Sequence, residues 1–73
     1  MITVYSNPAC QPCKATCRQL EQRGIEFKKV DVSVDDQGRR DIEALGYREL
    51  PVVVNGDDHW SGFRPDLIAR IAK

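Results

Sequence analysis

Two cysteines three positions apart, Cys10 and Cys13, sit where the chain changes from one local pattern to another. Ahead of them runs a string of β-formers, Ile2-Thr3-Val4-Tyr5. Behind them the apolar residues fall into a helical rhythm. The stretch Pro8-Ala9-Cys10-Gln11-Pro12-Cys13 is therefore predicted to join a strand to the start of a helix. A thiol pair at such a junction has a chemical reading. One sulfur attacks a disulfide in another molecule, and the second resolves the mixed disulfide by attacking the first. As a staple the pair is poor: closing so small a loop is worth roughly 2 kcal/mol, against about 3 for a loop of fifteen residues.

The rest of the chain organises itself around this junction. Met1–Tyr5 reads as a strand, broken by Ser6, Asn7 and Pro8. From Gln11 to Arg23 the pattern is helical, with Cys13, Thr16, Cys17 and Leu20 on one face, Pro12 in the first turn and Gly24 ending the helix. Phe27–Val32 reads as a second strand, so strand, helix and strand amount to a βαβ unit with a right-handed crossover and parallel strands. Ser33, with Asp36 three residues on, is predicted to start a second helix from about Asp35 to Leu45. Ile42 and Leu45 would face inward there, and Gly46 would end it. Pro51 opens a third strand, Val52–Asn55. Asn55-Gly56-Asp57-Asp58 signals a tight turn, and His59 and Trp60 start the returning strand. After a loop from Ser61 to Arg64, Pro65 and Asp66 suit the start of a last helix whose Leu67, Ile68 and Ile71 cover the sheet. The order is βαβ, then α, then ββα.

At 73 residues the chain is expected to form one domain, 1–73, with a thin core. Eleven basic and eleven acidic residues give no net charge, which argues against nucleic-acid binding. The start, MITVYSNPAC, has neither the basic segment nor the apolar run of a signal peptide, and no stretch approaches the roughly 20 apolar residues that span a membrane. The expectation is a soluble cytoplasmic protein. In that compartment a close cysteine pair is more often catalytic or metal-binding than structural.

With Cys10 at the helix start, the unpaired N–H groups and the positive dipole end favour a thiolate, and Lys14 adds a nearby charge. Lowering a thiol pKa from about 8.5 to about 7 raises the thiolate fraction about 16-fold. The weaker nucleophilicity takes back about 5-fold. The larger gain is positional, because the second thiol is held beside the mixed disulfide. Cys10, the outer of the two, is the expected nucleophile. Cys13, on the buried face, is the expected resolving thiol. The competing reading is a metal or iron–sulfur site, counting Cys10, Cys13, Cys17 and His59 to the four ligands a structural zinc needs. Cys17 is read as a small core residue.

Taken together, Val4-Tyr5, the stretch Pro8 to Cys13, Leu50-Pro51-Val52-Val53-Val54 and Trp60-Ser61-Gly62-Phe63-Arg64-Pro65-Asp66 resemble the NrdH-redoxin family, glutaredoxin-like proteins with thioredoxin-like activity. The resemblance covers nearly the whole chain. It implies a thioredoxin/glutaredoxin α/β fold, βαβ-α-ββα, with a four-stranded mixed sheet flanked by three helices. It implies that Cys10 and Cys13 form a redox-active disulfide, with no bound cofactor and no metal. Working as a monomer, the protein would reduce the large subunit of a class Ib ribonucleotide reductase. Thioredoxin reductase would re-reduce it, with NADPH as the ultimate donor.

The resemblance also implies a cis Leu50-Pro51 bond that turns the Leu50 backbone toward the active site. Gln11, Pro12, Leu50, Pro51, Trp60, Ser61, Gly62, Phe63 and Arg64 would contact or frame the partner, with Trp60 partly at the surface and Arg64 bracing its loop; by residue type alone, Trp60 and Phe63 equally suit core packing, and Arg64 a solvated surface position. Typical glutaredoxins hold glutathione with a Gly-Gly and a following acidic pair. Ser61 replaces the first glycine here and Arg64-Pro65 interrupts the rest, so the second reading is a glutathione-dependent glutaredoxin whose site has been altered. The family more usually places an apolar residue and then Gln between the cysteines. Pro12 instead removes one helix-start N–H. Less thiolate stabilisation means a more stable disulfide, so the couple is expected to be more reducing than ordinary glutaredoxins. Equilibration against a glutathione redox buffer checks this, and a potential in the ordinary glutaredoxin range would reject it.

Overall fold

The computed structural model describes residues 2–71, and its elements follow the predicted order: β1 (Ile2–Ser6), α1 (Gln11–Gln22), β2 (Phe27–Asp31), α2 (Asp36–Ala44), β3 (Val52–Asn55), β4 (Asp58–Ser61) and α3 (Pro65–Ile71). The four strands form one mixed sheet in the order β2-β1-β3-β4. β1 pairs parallel with β2, Ile2 opposite Phe27 and Ser6 opposite Asp31. It pairs antiparallel with β3, Tyr5 opposite Val52, and β3 pairs antiparallel with β4, Val52 opposite Ser61. This is the thioredoxin/glutaredoxin arrangement. The register brings four chain segments to one end of the sheet. These are the exit from β1 toward Cys10, the exit from β2 at Val32, the entry to β3 at Pro51 and the exit from β4 toward Gly62.

Each face of the sheet carries its own core. Ile2, Val4, Val53 and Trp60 pack with Cys17 and Leu20 of α1 and Ile68 of α3. Val52 packs on the other face with Val32 and with Ile42 of α2, flanked by Tyr5, Val30 and Tyr47. The two-residue period of β1 produces this split. The stripe Cys13, Thr16, Cys17 and Leu20 is buried as its spacing predicts, and Ile68 is completely enclosed. Among the described residues no helix is long and apolar enough to cross a membrane.

The boundaries differ from the sequence reading in instructive places. Ser6 extends β1 rather than breaking it. The expected strand start at Met1 lies outside the described residues. β2 stops at Asp31, one residue early, and β4 begins at Asp58, one residue before His59. α1 ends at Gln22, with Arg23 as its cap.

Ser33 does not start α2. Asp35 is the N-cap, accepting the Gly38 N–H at 2.9 Å, while Ser33 donates its own N–H and hydroxyl to Asp31. Asp35 wins because its carboxylate sits one helical position before Asp36, three residues ahead of the free N–H it satisfies. Nor does Leu45 face inward: it is the C-cap and 39% exposed. Gly46 follows with φ +84°, and Tyr47 N–H reaches back to Ile42 O at 3.0 Å. This reversal puts Tyr47, not Leu45, against Ile42. The other inward position of α2 is Gly38, where an added Cβ would stand 2.7 Å from Val30 Cγ1. A glycine inside the helix thus permits α2 to approach β2 closely.

The cap assignment is directly testable by urea denaturation. Asp35→Ala is expected to destabilise the fold by about 1 kcal/mol. Ser33→Ala, which leaves the cap in place, is expected to cost less than half of that.

Candidate functional site

Cys10 is the residue through which the loop after β1 becomes α1. Asn7 shapes that loop: its side-chain oxygen accepts the Ala9 N–H at 2.9 Å, and its carbonyl accepts the Cys10 N–H at 3.3 Å. The turn sets Cys10 in an extended conformation (φ −96°, ψ 110°) as the N-cap of α1. Its sulfur there accepts the backbone N–H of Cys13 at 3.2 Å. A sulfur in that place stands in for the usual oxygen cap and meets the positive end of the helix dipole. Pro12 occupies the first turn and contributes no N–H, which leaves the Cys13 N–H as the donor to the cap.

Cys10 and Cys13 are disulfide-bonded, with Cα atoms 5.2 Å apart. Their environments differ. Cys10 is half-buried and flanked by the exposed Ala9, Gln11 and Pro12, whereas Cys13 is 2% exposed at the head of the buried stripe. A reagent approaching from solvent meets Cys10 first. Cys17 follows one turn later on the same stripe. It is a free thiol, buried, and burial pushes its pKa up, with Glu21 adding to the effect and Lys29 opposing it. Its place in the core agrees with the sequence reading.

The other sequence-predicted residues gather at the same end of the sheet. The Leu50-Pro51 peptide is cis. Pro51 is fully buried, and its carbonyl accepts the Gly62 N–H at 2.8 Å, which ties the β3 entry to the loop after β4. Leu50 is half-buried and forms one wall of a groove shared with Val32, Ile42, Tyr47 and the guanidinium-bearing Arg39 and Arg48. Ser61 and Gly62 are half-buried, and Phe63 is 39% exposed.

Trp60, on β4, is not at the surface as the resemblance implies: it is 9% exposed, because its position opposite Val53 turns the ring into the α1/α3 core. Arg64 makes its hydrogen bonds within its own segment. Its guanidinium grips Asp66 two residues on, Nε to Oδ1 at 3.2 Å and Nη2 to Oδ2 at 3.0 Å. This pairing holds the Asp66 carboxyl below the usual carboxylate range and raises Arg64. Both groups are largely solvated, so the pair adds little stability. Its effect is local, in that it occupies the acidic group at the start of α3.

The four candidate metal ligands do not converge. His59 lies on β4, its Nδ1 2.7 Å from the Tyr47 hydroxyl, and Cys10 and Cys13 are bonded to each other. Among the described residues no three His, Cys, Asp or Glu side chains stand close enough to share an ion. Sequence reasoning missed two contributors: Asn7 and the Gly62–Pro51 bond. Asn-Pro is a turn signal that points to Asn7. The second joins residues distant in the chain, and no local pattern marks it.

Known proteins agree with this geometry. The glutaredoxin family model matches residues 2–60. The chain is 47% identical to the glutaredoxin-like protein NrdH of Salmonella typhimurium, over 96% of this chain and 86% of that one. It is 44% identical to the NrdH protein of Escherichia coli K12 over the same shares. Its backbone matches the solved structure of NrdH-redoxin from Escherichia coli with a TM-score of 0.94 and 43% identity, covering 99% of this chain and 95% of that one. That protein is described as glutaredoxin-like with a thioredoxin-like activity profile.

The contrast between the thiols has a measurable outcome. After reduction, brief iodoacetamide treatment at neutral pH is expected to label Cys10 and to leave Cys17 unmodified. Peptide mass spectrometry would show Cys17 reacting only once the chain is unfolded in urea.

Proposed function

The chain belongs to the glutaredoxin family, among its NrdH-redoxins, and on that premise we propose that it is a dithiol electron donor to a class Ib ribonucleotide reductase. Cys10 acts as nucleophile on the disulfide of the large subunit, and Cys13 resolves the mixed disulfide. The observation that carries this reading is the contrast within the pair: an accessible Cys10 whose sulfur already receives a helix N–H, and a buried Cys13 bonded to it. A thiolate formed on Cys10 inherits that hydrogen bond, which favours the charged form. Cys13, one helical turn away, attacks without having to diffuse, the kind of intramolecular advantage that raises effective concentration most.

The donor to the protein itself is thioredoxin reductase, with NADPH behind it, rather than glutathione. Support comes from the loop after β4. A glutathione α-amino group seeks a free carboxylate at the start of the last helix, and Asp66 is already held there by Arg64. Exposed Pro12 and Gln11 at the start of α1, and exposed Phe63 with half-buried Ser61 and Gly62 after β4, offer apolar and backbone groups to a protein partner at this end of the sheet. Leu50 and Pro51 border the groove into which an extended partner segment would lie. Trp60 contributes from beneath, as support for the loop. The reaction belongs in the cytoplasm, where thiols are kept reduced.

A coupled assay tests the reading. NADPH consumption is expected with thioredoxin reductase, this protein and an oxidised class Ib reductase subunit, and turnover should be far lower with glutathione and glutathione reductase. Efficient turnover with glutathione alone would sink the proposal in favour of a glutathione-dependent glutaredoxin. Cys13→Ser is expected to accumulate a mixed disulfide with the subunit, and Cys10→Ser to form none.

A further inference from the structure

Between the end of α2 at Ala44 and the start of β3 at Val52 the chain has no regular structure, yet it carries Leu50 and leads into the buried Pro51. Among the described residues Arg48, Glu49 and Leu50 make no hydrogen bond within the chain. What shapes this span is its two ends. Downstream, the Pro51 carbonyl accepts the Gly62 N–H at 2.8 Å. Upstream, the Tyr47 N–H closes on Ile42 O at 3.0 Å, and the Tyr47 side chain reaches across to β4.

That reach is specific. The phenol oxygen lies 2.7 Å from His59 Nδ1 and 3.2 Å from the His59 carbonyl oxygen. The two rings meet edge to face, centroids 5.5 Å apart and planes at 78°. His59 stands opposite Val54, and Val54 and Tyr47 flank the same half-core, so the strand pairing sets the imidazole where the phenol ends. A carbonyl can only accept, so the single phenol proton goes to it. The bond to the ring then needs a proton on Nδ1, donated to the phenol oxygen. The phenol is held from two directions, and its hold selects the Nδ1–H form of His59. The same Tyr47 lines the groove that Leu50 walls.

We propose that Tyr47 and His59 are positioning residues for partner recognition: their clasp fixes the upstream end of the Arg48–Leu50 span, so that Leu50 and the open backbone around it are held in the shape an extended partner segment meets. Both act through the span and not on the sulfurs. Without the clasp the partner must order three residues as it binds, and that entropic cost weakens binding. The exchange at Cys10, once the partner is seated, proceeds as before.

The proposal rests on the dithiol reading above, and the experiment separates the two. Insulin serves as the protein disulfide, with dithiothreitol as the reductant, and initial rates give kcat and KM. His59→Ala and Tyr47→Phe are each expected to raise KM about fivefold, the size of one net hydrogen bond, with kcat little changed. Tyr47→Phe keeps the ring and its packing, so the comparison survives if His59→Ala unsettles β4. His59→Asn, which offers a polar atom in the place of Nδ1, is expected to restore most of the loss. The double variant Tyr47→Phe/His59→Ala is expected to be no worse than either single change, because both remove one interaction. His59 is the chain's one histidine, so its ring 15N spectrum reads the clasp directly. Nδ1–H is expected to dominate in the parent and to give way to Nε2–H in Tyr47→Phe. Identical spectra, unchanged KM values or additive effects in the double variant would overturn the proposal. So would an equal slowing with 5,5′-dithiobis(2-nitrobenzoate), a disulfide too small to lie along the groove. A parent protein that reduces neither disulfide would overturn the dithiol reading, and the proposal with it.

Discussion

The chemistry at one end of this molecule depends on the pairing of β1 with strands on both sides. β1 is flanked by a parallel neighbour and an antiparallel one, so the end of the sheet where it finishes is also where β2 finishes and β3 begins. β4 then returns to the same end. Four segments far apart in the chain converge there for reasons of register. Were β1 to slip by one residue against β3, Ile2, Val4 and Ser6 would exchange faces with Thr3 and Tyr5. The two half-cores forbid this, because Val4 and Tyr5 each have a separate set of neighbours. The hydrophobic alternation of five residues therefore specifies both the fold and the place where the cysteines emerge.

The helix that follows is shaped as much by its first residue as by its stripe. Cys10 serves α1 as cap and serves the disulfide as one of its two sulfurs. Pro12 sharpens this double use by withholding one N–H from the first turn and leaving the Cys13 N–H as the donor that the cap receives. At the far end of the sheet nothing comparable is asked of the chain. Asn55, Gly56 and Asp58 simply reverse the backbone between β3 and β4.

Much of this was legible in the sequence. The thiol spacing, the stripe on α1, the glycines after both helices and the Val-rich β3 each express a local rule, and the structure obeys it. What was hidden involved competition or distance. Ser33 and Asp35 both offer a cap, and only the position of the free N–H decides between them. Leu45 fits the helical period, but the chain reverses at Gly46 and gives its place to Tyr47. Gly38 reads as a flaw in a helix until Val30 is seen beside it. Trp60 suits the core and the surface equally by residue type, and its pairing with Val53 sends it inward. Arg64 and Asp66 are two residues apart, and nothing in that spacing says that they will occupy each other.

The unequal burial of the two sulfurs gives the proposed reaction an order without any moving part. A stranger can reach the bond only at Cys10, and only the interior of the protein, through Cys13, can close it again. The bond thus works as a turnstile: entry is from solvent, exit is driven from the core, and the direction of passage is written in how deeply each atom sits.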